Sequence, residues 1–454
     1  MQAVLFSKEG NPELYLPYDS LKIELHDLQD QLNNEHSLLD QYRIFSRFVS
    51  DLGCGHTQLH PNKKVYREWL GKYNSIPIDY FLFERRLITN ALDPKEKANL
   101  IKNQPELARN PLLNTGTEII AIDGKHVPEM MKKIGEYLSS DEDHIAFKYF
   151  QARQFFEFYR QLGYPQQKDS ITITYVVNQD TLNIRMATGR APVNTMNERI
   201  YNDHDKRGGY ESDMGEFRII RHEYGYFRFK SFVSSAGKSY DEFLYNSFRE
   251  IKNKGIDKLV IDLRGNTGGV MQYNLVSYFT GKDVKLGSYI VSKPHKSSSE
   301  KGIKKFNSMY LRHVALSKKQ EQEIRNGRFD SGDVYSPGVD TNLIYKGQLT
   351  VITDEGTFSS AAILACHLKT LANAKIIGRT AGGSFYGGNS GTLLVTLPNS
   401  KFRLLVNPNS FKSQLARTND PIAIKIPDRI LHPEYTVPHK LDAYYFKEAT
   451  RTFE

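Results

Sequence analysis

The chain has 454 residues, of which 39% are apolar and 25% are charged, and its formal net charge is +9. This length is enough for two or three domains, and the composition is that of an ordinary globular protein. The two cysteines, Cys54 and Cys366, exclude a disulfide framework as the main source of stability. No apolar stretch approaches the roughly 18 residues of a membrane span.

Two features bear on location and partners. The first residues, MQAVLFSKEG, lack a signal-peptide pattern, which leaves either a cytoplasmic protein or one whose leader has been removed. The densest basic cluster, KPHKSSSEKGIKK, covers residues 293–305. Its serine and glycine content favours a solvated flap over a nucleic-acid or acidic-substrate patch. We therefore expect no nucleic-acid partner.

In the first half of the chain, helical spacing of leucines and phenylalanines predicts helices over 18–53. Residues 76–90 are typical of strands, and TGTEIIAIDGKHVPEMM predicts a strand, a tight turn and a helix that begins near Pro128. Residues 144–163 resemble one aromatic-rich helix. Alternation over 169–188 predicts a hairpin, and the polar residues 190–215 predict a linker at a domain boundary.

From about residue 216 strand and helix patterns alternate, which predicts an α/β core. DKLVIDLRGNTGG is typical of a buried strand that enters a glycine loop. VITDEGTFSSAAILAC predicts a strand, a tight turn and a helix, and GTLLVTLPNS with KFRLLVNP predicts a further hairpin.

Ser359 lies where the helix after the turn begins. Backbone N–H groups at that end have no intrahelical partner, and the helix dipole is positive there. Ser359 is therefore a candidate nucleophile beside an anion site. The alternative is that its hydroxyl only caps the helix.

Two other segments carry candidate chemistry. The glycines of LRGNTGG, residues 263–269, expose backbone N–H groups that can serve as oxyanion donors. His56, in GCGHTQL, lies in a loop rather than on an apolar helix face, although a structural role is an alternative. His56 and His60, four residues apart, leave a metal site open in principle, but no acid pairs with them in the loop and we expect neither metal nor cofactor.

The order GHT, DLRGNTGG and GTFSSA resembles the tail-specific, or C-terminal processing, serine peptidases. The resemblance is greater to the branch that includes the tricorn core protease and exported proteins of Bacteroidetes-type bacteria. GTEIIAIDGKHVPEMM resembles part of the PDZ-like module of these proteases, and IPDRILHPEYTV resembles the segment that follows their core.

The resemblance implies a multidomain α/β protein in three parts. Residues 1–75 would form an N-terminal helical region that carries the histidine loop. Residues 76–190 would form a PDZ-like module with a helical insertion. Residues 191–454 would form a Clp-protease/crotonase-like core of β-β-α units, with a basic insertion near 293–330. It also implies an exported protein, peptide or protein substrates, and an oligomer as one option.

The resemblance also assigns roles. Ser359 would be the nucleophile, and the oxyanion hole would use the amide of Gly268 or Gly269 together with that of Ser360. One branch uses a lysine about 25 residues after the serine, but residues 379–385 contain none. The other branch uses a histidine, here His56, and neutral imidazole accepts a serine proton near neutral pH. The third member would be Asp420.

Two other functions compete with a serine endopeptidase. A non-catalytic member of the same fold would bind peptides or small hydrophobic ligands without cleaving them. A crotonase-type acyl-CoA enzyme would share the glycine-loop donors but would not need Ser359. For the cysteines, a bridge and two buried thiols are both open, and we expect buried thiols.

Overall fold

The computed structural model describes residues 18–32, 36–83, 85–90, 92–141, 144–153, 155–165, 169–189, 210–211, 214–233, 237–269, 272–290, 322, 331–390, 393–407, 409–414, 429–430 and 441–454. Within these residues the protein is a mixed α/β structure with four sheets. The α/β prediction is confirmed. The three-part domain division, the PDZ-like module and the Clp-protease/crotonase core stay predictions.

The helices are α1 Tyr18–Gln31, α2 Leu38–Asp51, α3 Lys63–Lys72, α4 Pro94–Asn103, α5 Val127–Ile134, α6 Ile145–Ala152, α7 Phe156–Gly163, α8 Gly237–Asn253, α9 Gln272–Thr280, α10 Ser360–Ala372 and α11 Leu441–Thr450. The strands are β1 Gln58–His60, β2 Tyr80–Phe83, β3 Arg86–Thr89, β4 Glu118–Ile122, β5 Lys125–His126, β6 Ser170–Val177, β7 Asp180–Ala187, β8 Tyr210–Glu211, β9 Gly215–Ile220, β10 Tyr224–Phe229, β11 Lys258–Asp262, β12 Lys285–Ile290, β13 Ser331–Tyr335, β14 Gln348–Thr353, β15 Lys375–Gly378, β16 Gly387–Ser390, β17 Leu393–Thr396, β18 Arg403–Val406, β19 Asn409–Ser413 and β20 Arg429–Ile430.

A seven-stranded sheet brings the glycine loop and the serine turn together. Its order is β20-β15-β14-β11-β10-β9-β8, and the first five strands in this order are parallel to one another. Strands β11 and β14 are neighbours, with Asp262 opposite Ile352. Because the carboxyl ends of parallel strands meet at one edge of a sheet, the segments after β11 and β14 lie side by side. These segments contain residues 263–269 and Ser359.

A three-stranded sheet attaches the histidine loop to the C-terminal half of the chain. Strand β1 pairs with β18, with Gln58 opposite Leu405, and β18 pairs with β17. Leu39, Tyr42 and Phe402 share one apolar cluster around this sheet. The N-terminal helices are therefore packed against strands from beyond residue 390, which fixes the position of His56.

Residues 76–189 form the six-stranded sheet β2-β3-β4-β6-β7, with β5 paired to β4, and helices around it. The predicted strands, turn, helix and hairpin of this part are confirmed. The prediction of one helix over 144–163 is wrong, since α6 ends at Ala152 and α7 begins at Phe156. The break places Arg153 in the interior, where it forms an ion pair with Glu355.

Some predicted features fall partly or wholly outside the described residues. The linker 190–215 is described only at 210–211 and from 214 onward, and the basic insertion 293–330 only at Gln322. Within the described part of the chain, no helix has both the length and the apolar character needed to cross a membrane.

Candidate active site

Ser359 lies between β14 and α10 in a strained backbone conformation. Its φ is 55° and its ψ is −129°, a region that side-chain-bearing residues rarely adopt. The preceding turn is held by hydrogen bonds from the Thr357 amide to the Asp354 carbonyl and from the Thr357 hydroxyl to the Leu263 carbonyl, each 2.9 Å. The Ser359 hydroxyl makes no capping hydrogen bond to the helix. The alternative of a simple helix cap is therefore wrong.

His56 lies in the loop between α2 and β1. Its ring contacts the ring of Phe358 with centroids 4.5 Å apart, and Phe358 stacks on Phe147 at 3.8 Å. A Cβ at Gly55 would lie 2.8 Å from the Phe358 ring, which explains why a glycine precedes the histidine. The packing of these aromatic rings fixes the plane of the imidazole.

The structure brings His56 and Ser359 into hydrogen-bond contact although they are 303 positions apart. His56 Nε2 lies 2.7 Å from Ser359 Oγ. The imidazole side chain is only 11% exposed, so little water competes for this contact. A hydroxyl in contact with an imidazole nitrogen is the arrangement in which histidine can remove the serine proton.

Asp141 faces the other nitrogen of His56, and sequence reasoning missed it. Its Oδ1 lies 3.8 Å from Nδ1, beyond hydrogen-bond distance, and its side chain is 1% exposed. Oδ1 accepts a 2.8 Å hydrogen bond from the Gly55 amide, while the Ser384 amide lies 3.5 Å from Oδ2. A buried carboxylate at this distance stabilises a positive charge on the imidazole.

Asp420, the predicted third member, lies outside the described residues, so its role stays a prediction. Asp141 carries no motif of its own in the sequence. The one signal is an acid at the end of GEYLSSD, directly after a predicted helix, and many surface acids occupy such positions.

The glycine loop packs directly against the backbone of the serine. A Cβ at Gly268 would lie 2.8 Å from Ser359 Cβ and 2.9 Å from the Ser360 amide nitrogen, and the φ of Gly268 is 96°. The Gly268 amide donates a 2.9 Å hydrogen bond to Asn266 Oδ1. The Gly268 amide thus already has a hydrogen-bond acceptor within the loop. Of the two glycine amides predicted as oxyanion donors, this leaves the amide of Gly269.

A buried cluster of charges lies beneath the serine turn. Glu355 Oε2 accepts hydrogen bonds from Arg153 at 2.7 Å and from Arg379 at 2.6 Å, and Arg379 also donates to the Tyr445 hydroxyl at 2.9 Å. The carboxylate of Asp354 accepts from the Gly265 and Gly356 amides at 2.8 and 2.9 Å. These bonds fix the turn that presents Ser359.

A second buried ion cluster lies at the end of β11. Asp262 accepts hydrogen bonds from Arg228 at 2.7 Å and Arg264 at 2.6 Å. Burial on its own raises the pKa of Asp262, but the two guanidinium groups outweigh it and hold the pKa well below its usual range. The carboxylate is thus charged and anchors the strand from which the glycine loop begins.

Both cysteines are buried and free, so the expectation of two unpaired thiols is confirmed. Cys54 Sγ accepts hydrogen bonds from Asn389 Nδ2 at 3.0 Å and from the Thr57 hydroxyl at 3.3 Å. Burial, with a further contribution from Asp141, raises the pKa of the Cys54 thiol. The thiol is therefore protonated at neutral pH.

A strained serine in contact with a histidine, at the sheet edge beside a glycine loop, defines the class: an α/β protein with a site of the serine-hydrolase type. The family model described as peptidase family S41 matches residues 223–407. This match supports a serine-type peptidase. A comparison with curated proteins found no match.

The fold is similar to that of two solved structures. Mature CPAF is 12% identical with a TM-score of 0.63, over 98% of this chain and 95% of that one. Mature CPAF complexed with lactacystin is 13% identical with a TM-score of 0.62, over 100% and 97%. At these identities the similarity shows the shared fold, and the roles of individual residues depend on the geometry above.

Proposed function

We propose that the protein is a serine endopeptidase that cleaves peptides or unfolded proteins. The observation that carries the proposal is the 2.7 Å contact between His56 Nε2 and Ser359 Oγ. Ser359 attacks the peptide carbonyl as His56 Nε2 accepts its proton, and the protonated imidazole then delivers that proton to the leaving amine. Water hydrolyses the acyl-enzyme in a second step with the same base.

The amides of Gly269 and Ser360 are the proposed oxyanion donors. Ser360 is the first residue of α10, where backbone N–H groups have no partner within the helix. The close approach of the glycine loop to the Ser359–Ser360 backbone supports a shared pocket for the carbonyl oxygen. Asp141 is the proposed positioning residue for the imidazole, and Asp420 is a further acidic candidate.

Residues 76–190 are proposed to hold the substrate. A PDZ-like module would bind an extended peptide or a free C-terminus by strand addition, and the basic balance of the chain suits capture of a carboxylate. This part of the proposal draws on the resemblance of GTEIIAIDGKHVPEMM and on the antiparallel sheet observed there.

The test is cleavage of an unfolded protein by the full chain and its variants. Ser359→Ala and His56→Ala should each lower kcat at least about 1,000-fold, because each removes one half of the nucleophile–base pair. The matched controls are Ser247→Ala, a buried helix serine, and His60→Gln, at the end of β1. Both controls should stay active.

A fluorophosphonate probe gives an independent measurement. Labelling of the wild type that is lost in Ser359→Ala supports the peptidase. Cleavage that survives in Ser359→Ala would overturn the mechanism. An unlabelled wild type without cleavage would favour the non-catalytic, peptide-binding alternative.

A further inference from the structure

The ring nitrogen of His56 that faces away from Ser359 lies close to two other metal-ligating groups. Cys54 Sγ, His56 Nδ1 and a carboxylate oxygen of Asp141 all lie within 4.8 Å of one another. Cys54 and Asp141 are each 1% exposed. These donors come from two separate parts of the chain, so the fold itself assembles them.

The polar atoms of this cluster are incompletely satisfied. His56 Nδ1 is buried and has no hydrogen-bond partner among the described residues. Such a nitrogen loses its hydration without compensation, which is unfavourable. Asn389 Nδ2 and the Thr57 hydroxyl both donate hydrogen bonds to Cys54 Sγ, so a thiolate formed when a metal binds would keep two hydrogen-bond partners.

We propose that Cys54, His56 and Asp141 bind a Zn²⁺ ion that inhibits the peptidase. Thiolate, imidazole and carboxylate are the usual zinc donors, at about 2.3, 2.0–2.1 and 2.0–2.2 Å from the metal. Around a tetrahedral ion such donors lie about 3.3–3.8 Å apart. Nδ1 and Oδ1 are already 3.8 Å apart, and all three donor atoms lie within 4.8 Å of one another, so a contraction of about 1 Å or less would bring them to these distances. The sulfur ligand disfavours Mg²⁺ and Ca²⁺.

Zinc at Nδ1 would block the base through its tautomer. The active base carries its proton on Nδ1 and accepts with Nε2. When Nδ1 binds zinc, the ring proton moves to Nε2, and the Cys54 thiol releases its proton to solvent. Nε2 then donates to Ser359 Oγ and cannot accept its proton. This inhibition rests on the proposed function, whereas metal binding does not.

The metal site is tested with Co²⁺, whose thiolate complexes have a charge-transfer band in the near ultraviolet. Full-length wild type should bind about one Co²⁺ with this band, and Zn²⁺ should displace it. The band should be lost in Cys54→Ala and in the more conservative Cys54→Ser, and it should persist in Cys366→Ala, whose thiol is also buried. Thermal unfolding of each variant establishes that it is folded.

The inhibition is tested in the cleavage assay. Zn²⁺ should inhibit the wild type, and a chelator should restore its activity. Mg²⁺ should not inhibit. Cys54→Ser should need at least ten times more Zn²⁺ than the wild type for half inhibition. No cobalt–thiolate band in the wild type, or an equal band in folded Cys54→Ser, would overturn the site. An inactive wild type that still shows the band would reject the proposed function and retain the metal site.

Discussion

Arg153 Nη2 donates a 2.7 Å hydrogen bond to Glu355 Oε2, and both side chains are almost fully buried. Arg153 follows α6, whereas Glu355 lies in the turn that leads to Ser359. The pair therefore links residues 76–189 to the turn that positions Ser359, through a contact that lies beneath the candidate site rather than in it.

Arg153→Met should destabilise the protein and weaken catalysis. Removal of one partner from a buried ion pair leaves the other charge uncompensated, which lowers the free energy of unfolding by about 3–5 kcal/mol. The loss should be smaller here, because Arg379 still donates a hydrogen bond to Glu355. We expect a lower melting temperature and a lower kcat. The exposed pair of Arg86 and Glu118 offers the control, because Arg86→Met should cost less than about 1 kcal/mol. Equal effects of the two substitutions would contradict the prediction.

Asp141→Asn should lower kcat by at least about 100-fold with little change in KM, because the amide keeps an acceptor for the Gly55 amide but removes the charge that faces His56. Steady-state kinetics separates the two parameters. Asp79→Asn, at another buried carboxylate, is the control and should leave kcat within a few-fold of wild type. If kcat falls equally in both variants, Asp141 has no special role beside the imidazole.

Gly268→Ala should abolish most activity. The added methyl group would lie 2.8 Å from Ser359 Cβ, so the serine or the loop must move, and a misplacement of about 1 Å costs about 100-fold in rate. Gly124→Ala controls for backbone strain, because Gly124 also has a positive φ (73°) but a Cβ added there would have no neighbouring atom within 4 Å. Cleavage assays should show full activity for Gly124→Ala and near-complete loss for Gly268→Ala.

His367 should make stability depend on pH below about 6.5. It is fully buried on α10, and burial lowers its pKa to about 4, while Nε2 lies 3.1 Å from the Leu286 carbonyl oxygen. Between pH 4 and about 6.5 the imidazole is protonated in the unfolded state but not in the folded state. The free energy of unfolding therefore falls as the pH falls, by about 3 kcal/mol between pH 6.5 and 4.

His367→Gln keeps a donor for the Leu286 carbonyl but does not titrate. The variant should show a shallower loss of melting temperature between pH 6.5 and 4 than the wild type. Parallel pH profiles for the two proteins would show that His367 does not carry the effect.

The sequence predicted the elements that local patterns determine. The strand–turn–helix around Ser359, the glycine loop and the hairpins each have their signal within about 20 residues, and the structure contains all of them. The histidine was found because GHT and GTFSSA occur in a recognisable order, although no local rule indicates that two segments 303 positions apart will meet.

Asp141 and the Arg153–Glu355 pair were missed for a physical reason. Their significance comes from contacts across 86 and 202 positions, and an acid after a helix or an arginine among aromatics looks the same whether it is buried or solvated. The end of α6 at Ala152 was missed as well, because the aromatic pattern continues from α6 into α7 without a local stop signal.

The pairing of β1 with β18 has a consequence for biosynthesis. The loop of His56 is held by a strand that begins at Arg403, so a ribosome must have made nearly nine-tenths of the chain before its partner exists. During translation the nascent chain would therefore lack the contact between His56 and Ser359, and the proposed peptidase activity would be absent until the last strands had emerged.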